Sequence, residues 1–238
     1  MKNFQQEDQD LLHKESSILN AGLKRRSFLQ YAGAGAAGIA LIAAGCKKDN
    51  TTSSNSGVNL GSGDVGILNY AYALEQLEAA FYTTVVQSPY ANISAYELGL
   101  LTDIRDHEIA HREFFKKALG ASAIIGLTVD FSSINFSVRE NVLATAKAFE
   151  DLGVSAYNGA GNLIKSADYL LLAGKIVSVE ARHAALIRDL ISDGTFADST
   201  VIDLNGLDKA RAPKDVLAMA QVYVKTTING SNLPTATA

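Results

Sequence analysis

The sequence predicts an all-α fold: a four-helix bundle made of two helical hairpins, with a short extra C-terminal helix. Three observations predict it. Four long segments between residues 65 and 194 carry apolar residues at helical period. The connections inside the first and second pairs of segments are short, as antiparallel helical neighbours require. The second pair also repeats the residue pattern of the first at an offset of about 75 positions. Composition agrees, because apolar residues make up 47% of the chain, aromatics only 8% and Trp is absent. The alanine and leucine that fill the rest of the apolar set are strong helix formers.

The first helix is expected over 65–87, stopping before Pro89, whose ring and missing N–H cannot continue it. The second covers 94–119, with Gly120 as its C-terminal stop. A loop rich in Ser, Val and Ile follows, and its 124–131 portion is expected to lie extended along the bundle as a crossover. Ser137-Val138-Arg139-Glu140 reads as a capping box, so the third helix starts near Val138 and fades around 159–161. The fourth covers 167–192 and is closed by Asp193-Gly194. Beyond it, 213–224 reads as one short helix with Pro213 in its first turn, packed on the outside. Residues 229–238 read as a frayed end. The bundle domain is bounded at 64–195 and the C-terminal extension at 196–238.

The N-terminus reads as an export signal. Lys24-Arg25-Arg26-Ser27-Phe28-Leu29-Gln30 resembles the twin-arginine consensus, and 31–45 is a weakly hydrophobic Gly/Ala stretch too short for a transmembrane helix. It ends in Ile42-Ala43-Ala44-Gly45-Cys46, which resembles a lipobox, so Cys46 is expected to be lipidated and to become the first mature residue. Ala43 stands where leucine is commonest in such signals, which leaves a soluble exported product as the alternative. Cys46 is the only cysteine, so no disulfide can form within the chain. Residues 47–63 are polar, rich in Ser, Asn and Gly, and read as a flexible tether. The expected location is the cell envelope, periplasmic or membrane-anchored. With 21 basic and 25 acidic residues the net charge is -4, which gives nucleic acid no electrostatic footprint.

Chemistry concentrates on the four helices. Glu108-Ile109-Ala110-His111 and Glu180-Ala181-Arg182-His183 both place a carboxylate and an imidazole on one helical face. Both interrupt apolar stripes: Leu101, Ile104 and Phe115 flank the first pair, and Leu172, Ile176 and Ile187 flank the second. A carboxylate in such a stripe is costly unless it is paired or holds a metal. The other two helices match each other. Residues 73–82 align without gaps to 148–157, and in both a glutamate (Glu75, Glu150) precedes a tyrosine (Tyr82, Tyr157) by two helical turns.

One Glu from each of two helices plus Glu-x-x-His from each of the other two is the ligand set of carboxylate-bridged dimetal bundles. Glu75, Glu108, His111, Glu150, Glu180 and His183 supply it. Four carboxylates neutralise two divalent ions, and carboxylate with imidazole suits iron or manganese rather than a closed thiolate zinc site. Tyr82 and Tyr157 are expected to hydrogen-bond to the carboxylates. Glu78 competes with Glu75 as the first-helix ligand; the duplication favours Glu75, because Glu78 aligns with Gly153, but both stay open. His107 lies one residue outside the metal face and reads as a surface or supporting histidine.

LEQLEAAFY, HEIAHREFF, FEDLGVSAY and SVEARHAAL resemble segments of the ferritin-like superfamily, and are most similar to its desiccation-related ferritin-like domain proteins. The resemblance covers about 65–190 and implies a bundle holding two iron or manganese ions at those six residues. It further implies oxygen or peroxide as the reacting partner, in a ferroxidase- or peroxidase-like oxidoreductase. The alternative is a non-enzymatic lipid-anchored protein with a stress-protective or interaction role and a structural metal. A membrane partner through the lipidated N-terminus and a homodimer complete the expectations.

Overall fold

The computed structural model describes residues 57–235, so the twin-arginine and Cys46 expectations lie outside the described residues. Four long helices form the body: α1 (Gly63–Gln87), α2 (Ala95–Leu119), α3 (Arg139–Gly161) and α4 (Ala167–Ile191). α1 packs against α2 and α3 against α4 as two hairpins, and α1 with α3 joins the halves. A short α5 (Pro213–Ala220), continued by a 3-10 turn at Gln221–Tyr223, packs on α3 and α1. This is the expected bundle with its extra helix. No described helix is long and apolar enough to cross a membrane.

Local chemistry sets the helix ends. Ser94 caps α2 by accepting the Glu97 N–H at 3.0 Å, which satisfies one of the free donors of the first turn. Gly120, at φ 54°, ends the same helix in a conformation that L side chains avoid. Ser166 caps α4 through the Tyr169 N–H. Asp64 in the first turn of α1 accepts the backbone N–H groups of Lys165 and Ser166 at 2.8 and 2.9 Å, which pins the start of α1 to the α3–α4 turn. The expected capping box at Ser137 does not form. Asn135 Oδ1 takes the Ser137 N–H instead, and Val138 becomes the N-cap residue with no side-chain bond.

α1 is buried on almost every side, because the crossover lies along it. Asn69 donates to the carbonyls of Leu60 and Ser122 and accepts the Ile124 N–H, and Gln76 Oε1 accepts the Leu127 N–H. Phe81 stands at the centre of an aromatic cluster with Tyr82, Phe131, Phe136 and Phe149, at ring separations of 5.1 to 6.0 Å. That packing closes one end of the core.

Two expectations at the termini are corrected. Residues 58–63 belong to the folded body rather than to a tether: β1 (Val58–Asn59) pairs in parallel with β2 (Ile228–Asn229), and Leu60 is fully buried. The same pairing contradicts fraying from residue 229, since Asn229 accepts the Leu60 N–H and Leu233 packs into the core. Apolar anchors at Leu60 and Leu233 outweigh the polar composition around them.

Candidate metal centre

The helical period delivers the four acidic positions and two histidines to one interior point. α1 contributes Glu75, α2 Glu108 and His111, α3 Glu150, and α4 Glu180 and His183. The four glutamates are fully buried, and His183 is 4% exposed. Glu75, Glu108, His111 and Glu180 form one group, and Glu108, Glu150, Glu180 and His183 a second; within each, one donor atom per residue lies within 4.8 Å of all the others. Glu108 and Glu180 belong to both groups.

The two groups repeat a similar set of distances. His111 Nδ1 lies 2.9 Å from Glu180 Oε1, 3.4 Å from Glu75 Oε2 and 3.7 Å from Glu108 Oε2. His183 Nδ1 lies 2.8 Å from Glu108 Oε1, 3.6 Å from Glu150 Oε2 and 3.9 Å from Glu180 Oε2. Despite this closeness none of these atoms makes an aligned hydrogen bond: both oxygens of Glu108 and Glu180, Oε2 of Glu75 and Glu150, and both Nδ1 atoms stand at ion-pair distances without a hydrogen-bond partner. Buried polar atoms are rarely left so. Donors that crowd together without bonding one another are aimed at a shared point, as ligands of a cation are. The donor set, carboxylate and imidazole without thiolate, fits hard or borderline divalent ions such as iron and manganese.

The outward oxygens of Glu75 and Glu150 are held by the tyrosines. Tyr82 Oη donates to Glu150 Oε1 at 2.5 Å, and Tyr157 Oη donates to Glu75 Oε1. Each tyrosine therefore bonds the glutamate of the other repeat, not the one two turns before it. Burial, reinforced by the carboxylates, keeps both phenols well above their ordinary pKa, so both stay protonated donors.

Electrostatics within the cluster follow from crowding. Burial first, then neighbouring carboxylates, holds Glu180 and Glu78 well above the usual carboxylate range. Burial pushes Glu75 up to about 7, against the pull of His111. Glu108 behaves oppositely: burial raises it, but His111 and His183 outweigh burial and hold it at about 2. Burial disfavours charge on the imidazoles too, yet the surrounding carboxylates raise His111 to about 12 and His183 to about 10. Without a cation, protons do the neutralising.

All six expected ligand positions thus come together, and both tyrosines reach them. Two neighbours had only a faint signal in the sequence. His107 Nδ1 lies 2.9 Å from His183 Nε2, with the rings stacked at 8°. With His183 Nδ1 turned to the carboxylates, its Nε2 faces His107 Nδ1, and that contact orients the His183 ring. Glu78 is also buried, at 4% exposure, so the choice between Glu75 and Glu78 is not a choice between a core and a surface residue.

A four-helix bundle whose interior carries a duplicated carboxylate–histidine cluster defines the class. The chain belongs to the ferritin-like domain family: the model of that family matches residues 63–193, more than half of the chain. Among curated proteins no match is found.

Proposed function

We propose that this protein binds a dinuclear iron or manganese centre through Glu75, Glu108, His111, Glu150, Glu180 and His183, and reacts with oxygen or peroxide as a ferroxidase- or peroxidase-like oxidoreductase. One observation carries the reading: eight buried donor atoms on four helices face one another without hydrogen-bond partners. Two divalent ions would cancel the four carboxylate charges, and when bound they would supply the electrons for oxygen or peroxide chemistry. The chain's own residues set the stage. Tyr82 and Tyr157 orient Glu150 and Glu75, His107 orients His183, and the apolar stripes on either side keep bulk water out.

Arg25-Arg26 and Ala44-Gly45-Cys46 support export and a lipid anchor in the cell envelope. Cys46→Ser should then move the protein from the membrane to the soluble fraction. A second reading, a structural metal in a non-enzymatic protein, is favoured by the spread of donors over all four bundle helices, which would make the ions staples. Ferrous-iron or peroxide turnover that Glu150→Ala abolishes while the fold persists decides for the enzyme. Metal-loaded protein that turns over neither decides for the staple.

A further inference from the structure

The C-terminal extension is pinned to α3 and α4 at two places and arches between them. At its start Thr195 Oγ1 donates to the Arg188 carbonyl at 2.9 Å. At its end the Arg211 N–H donates to the Ser155 carbonyl at 2.9 Å, and Arg211 Nη1 donates to Ser155 Oγ at 2.6 Å. Between the pins the Lys209 N–H meets the Val201 carbonyl, and Lys209 Nζ donates to the carbonyls of Ser199 and Thr200, which folds the arch back on itself.

Under the arch α4 presents Ala181, Ala184 and Ala185 on one face, side chains too short to fill the gap. A cavity of about 230 Å³ results, far more than one water needs and enough for a small organic molecule. Val154 and the three alanines line it from the bundle, and Val201 and Ile202 from the arch.

The charges around it do not cancel. Arg188, Lys209 and Arg211 line the cavity with Asp151 and Asp208. Arg188 is committed to Asp151, at 2.8 and 2.7 Å, and to Asp198 at 3.2 Å. Lys209 bonds only carbonyls and Arg211 only Ser155, so neither has a carboxylate partner among the described residues. Opposing them is the Asp208 carboxylate, for which no hydrogen bond or ion pair is found among the described residues. Two unneutralised cations against one carboxylate leave an excess of one positive charge beside an apolar wall.

We propose that this cavity binds a small organic anion, a monocarboxylate with a compact apolar body. The Arg211 guanidinium, with Lys209 beside it, takes the carboxylate, since a planar fork of N–H donors matches two carboxylate oxygens. The apolar body lies against Val154 and the alanines. The site is separate from the carboxylate–histidine cluster and does not rest on the dinuclear reading.

The test is isothermal titration of the full chain with benzoate, in chelator so that no cation in the bundle can take the carboxylate. Its uncharged isostere benzamide and inorganic phosphate serve as comparisons. Benzoate should saturate at one per chain, and benzamide should bind about tenfold more weakly or worse. Arg211→Gln, which can still donate to Ser155, should weaken benzoate about tenfold, and Ala185→Leu, which fills the cavity and keeps every charge, should do the same. Asp208→Asn removes the opposing charge and should tighten binding about twofold or more. Resistance to proteolysis after residue 196 shows that the arch stays down in each variant; if Arg211→Gln loses it, the other two variants decide.

Absence of saturable benzoate binding would overturn the proposal. So would equal affinity for benzamide, which makes the cavity an apolar void, or tighter binding of phosphate, which makes the apolar wall irrelevant. Benzoate affinity unchanged in both Ala185→Leu and Asp208→Asn would place the binding elsewhere and overturn it too.

Discussion

Metal-free protein should lose thermal stability as pH rises from 5 to 8, and the stabilisation by added Mn²⁺ should grow over the same range. Glu75 shows the sign. Its folded pKa, about 7, lies above the ordinary 4.5 because burial opposes the charged form. Below 4.5 the carboxyl is neutral in both states and costs nothing. Between 4.5 and 7 only the unfolded chain ionises, so stability is lost as pH climbs. A displacement of that size corresponds to about 3 kcal/mol. His183, raised from 6.5 to about 10 by its carboxylate neighbours, adds a loss of the same sign that begins above 6.5. For a domain of this size 1 kcal/mol moves the melting temperature by about 2–4 °C, so Glu75 alone accounts for a fall of about 6–12 °C. A bound cation reverses the trend, since each ligand must shed its proton and binding is favoured by higher pH. At a hundredfold excess over the dissociation constant each ion contributes about 2.7 kcal/mol. Differential scanning calorimetry from pH 5 to 8, with chelator and then with Mn²⁺, measures both slopes. A metal-free melting temperature that rises with pH, or a metal increment that shrinks, would refute the reasoning.

Other perturbations separate the site from its scaffold. Tyr157→Phe removes the donor that holds Glu75 Oε1, and should weaken metal binding about tenfold to a hundredfold by isothermal titration while the helical signal stays unchanged. Gly159→Ala would place a Cβ 1.8 Å from the carbonyl oxygen of Arg211, so the C-terminal extension must lift from α3. The cost is about 3 kcal/mol or more in urea unfolding, together with new proteolytic sensitivity after residue 196. Arg188 is 2% exposed and donates to both oxygens of Asp151, at 2.8 and 2.7 Å, and to Thr200. Arg188→Ala leaves Asp151 without its cation, and should cost about 3 kcal/mol without altering metal stoichiometry.

The ligand set was legible because an α-helix turns sequence spacing into direction. Glu108 with His111, and Glu180 with His183, are three apart, so each pair had to share a face whatever the tertiary fold. The duplication supplied the partners Glu75 and Glu150. What spacing cannot give is which helix lies opposite. Tyr82 and Glu75 share a face of α1, yet Tyr82 bonds Glu150 on α3, because a tyrosine two turns along reaches across the core and not back along its own helix. The same limit applies to Glu78: the alignment with Gly153 is visible in the chain, but that the glutamate occupies the glycine's space is a fact of packing. The angle of His107 on α2 puts it outside the metal face, and its contact with His183 depends on how closely α2 and α4 approach there. At the ends, local polarity misled, since Leu60 and Leu233 anchor segments whose neighbours look like linker.

The central claim is that the interior cluster is a metal centre, and counting metal in the native protein tests it most directly. Elemental analysis of the full chain, purified without chelator and again after reconstitution with ferrous or manganous ion, should find two ions per chain. Fewer than one per chain after reconstitution would contradict it.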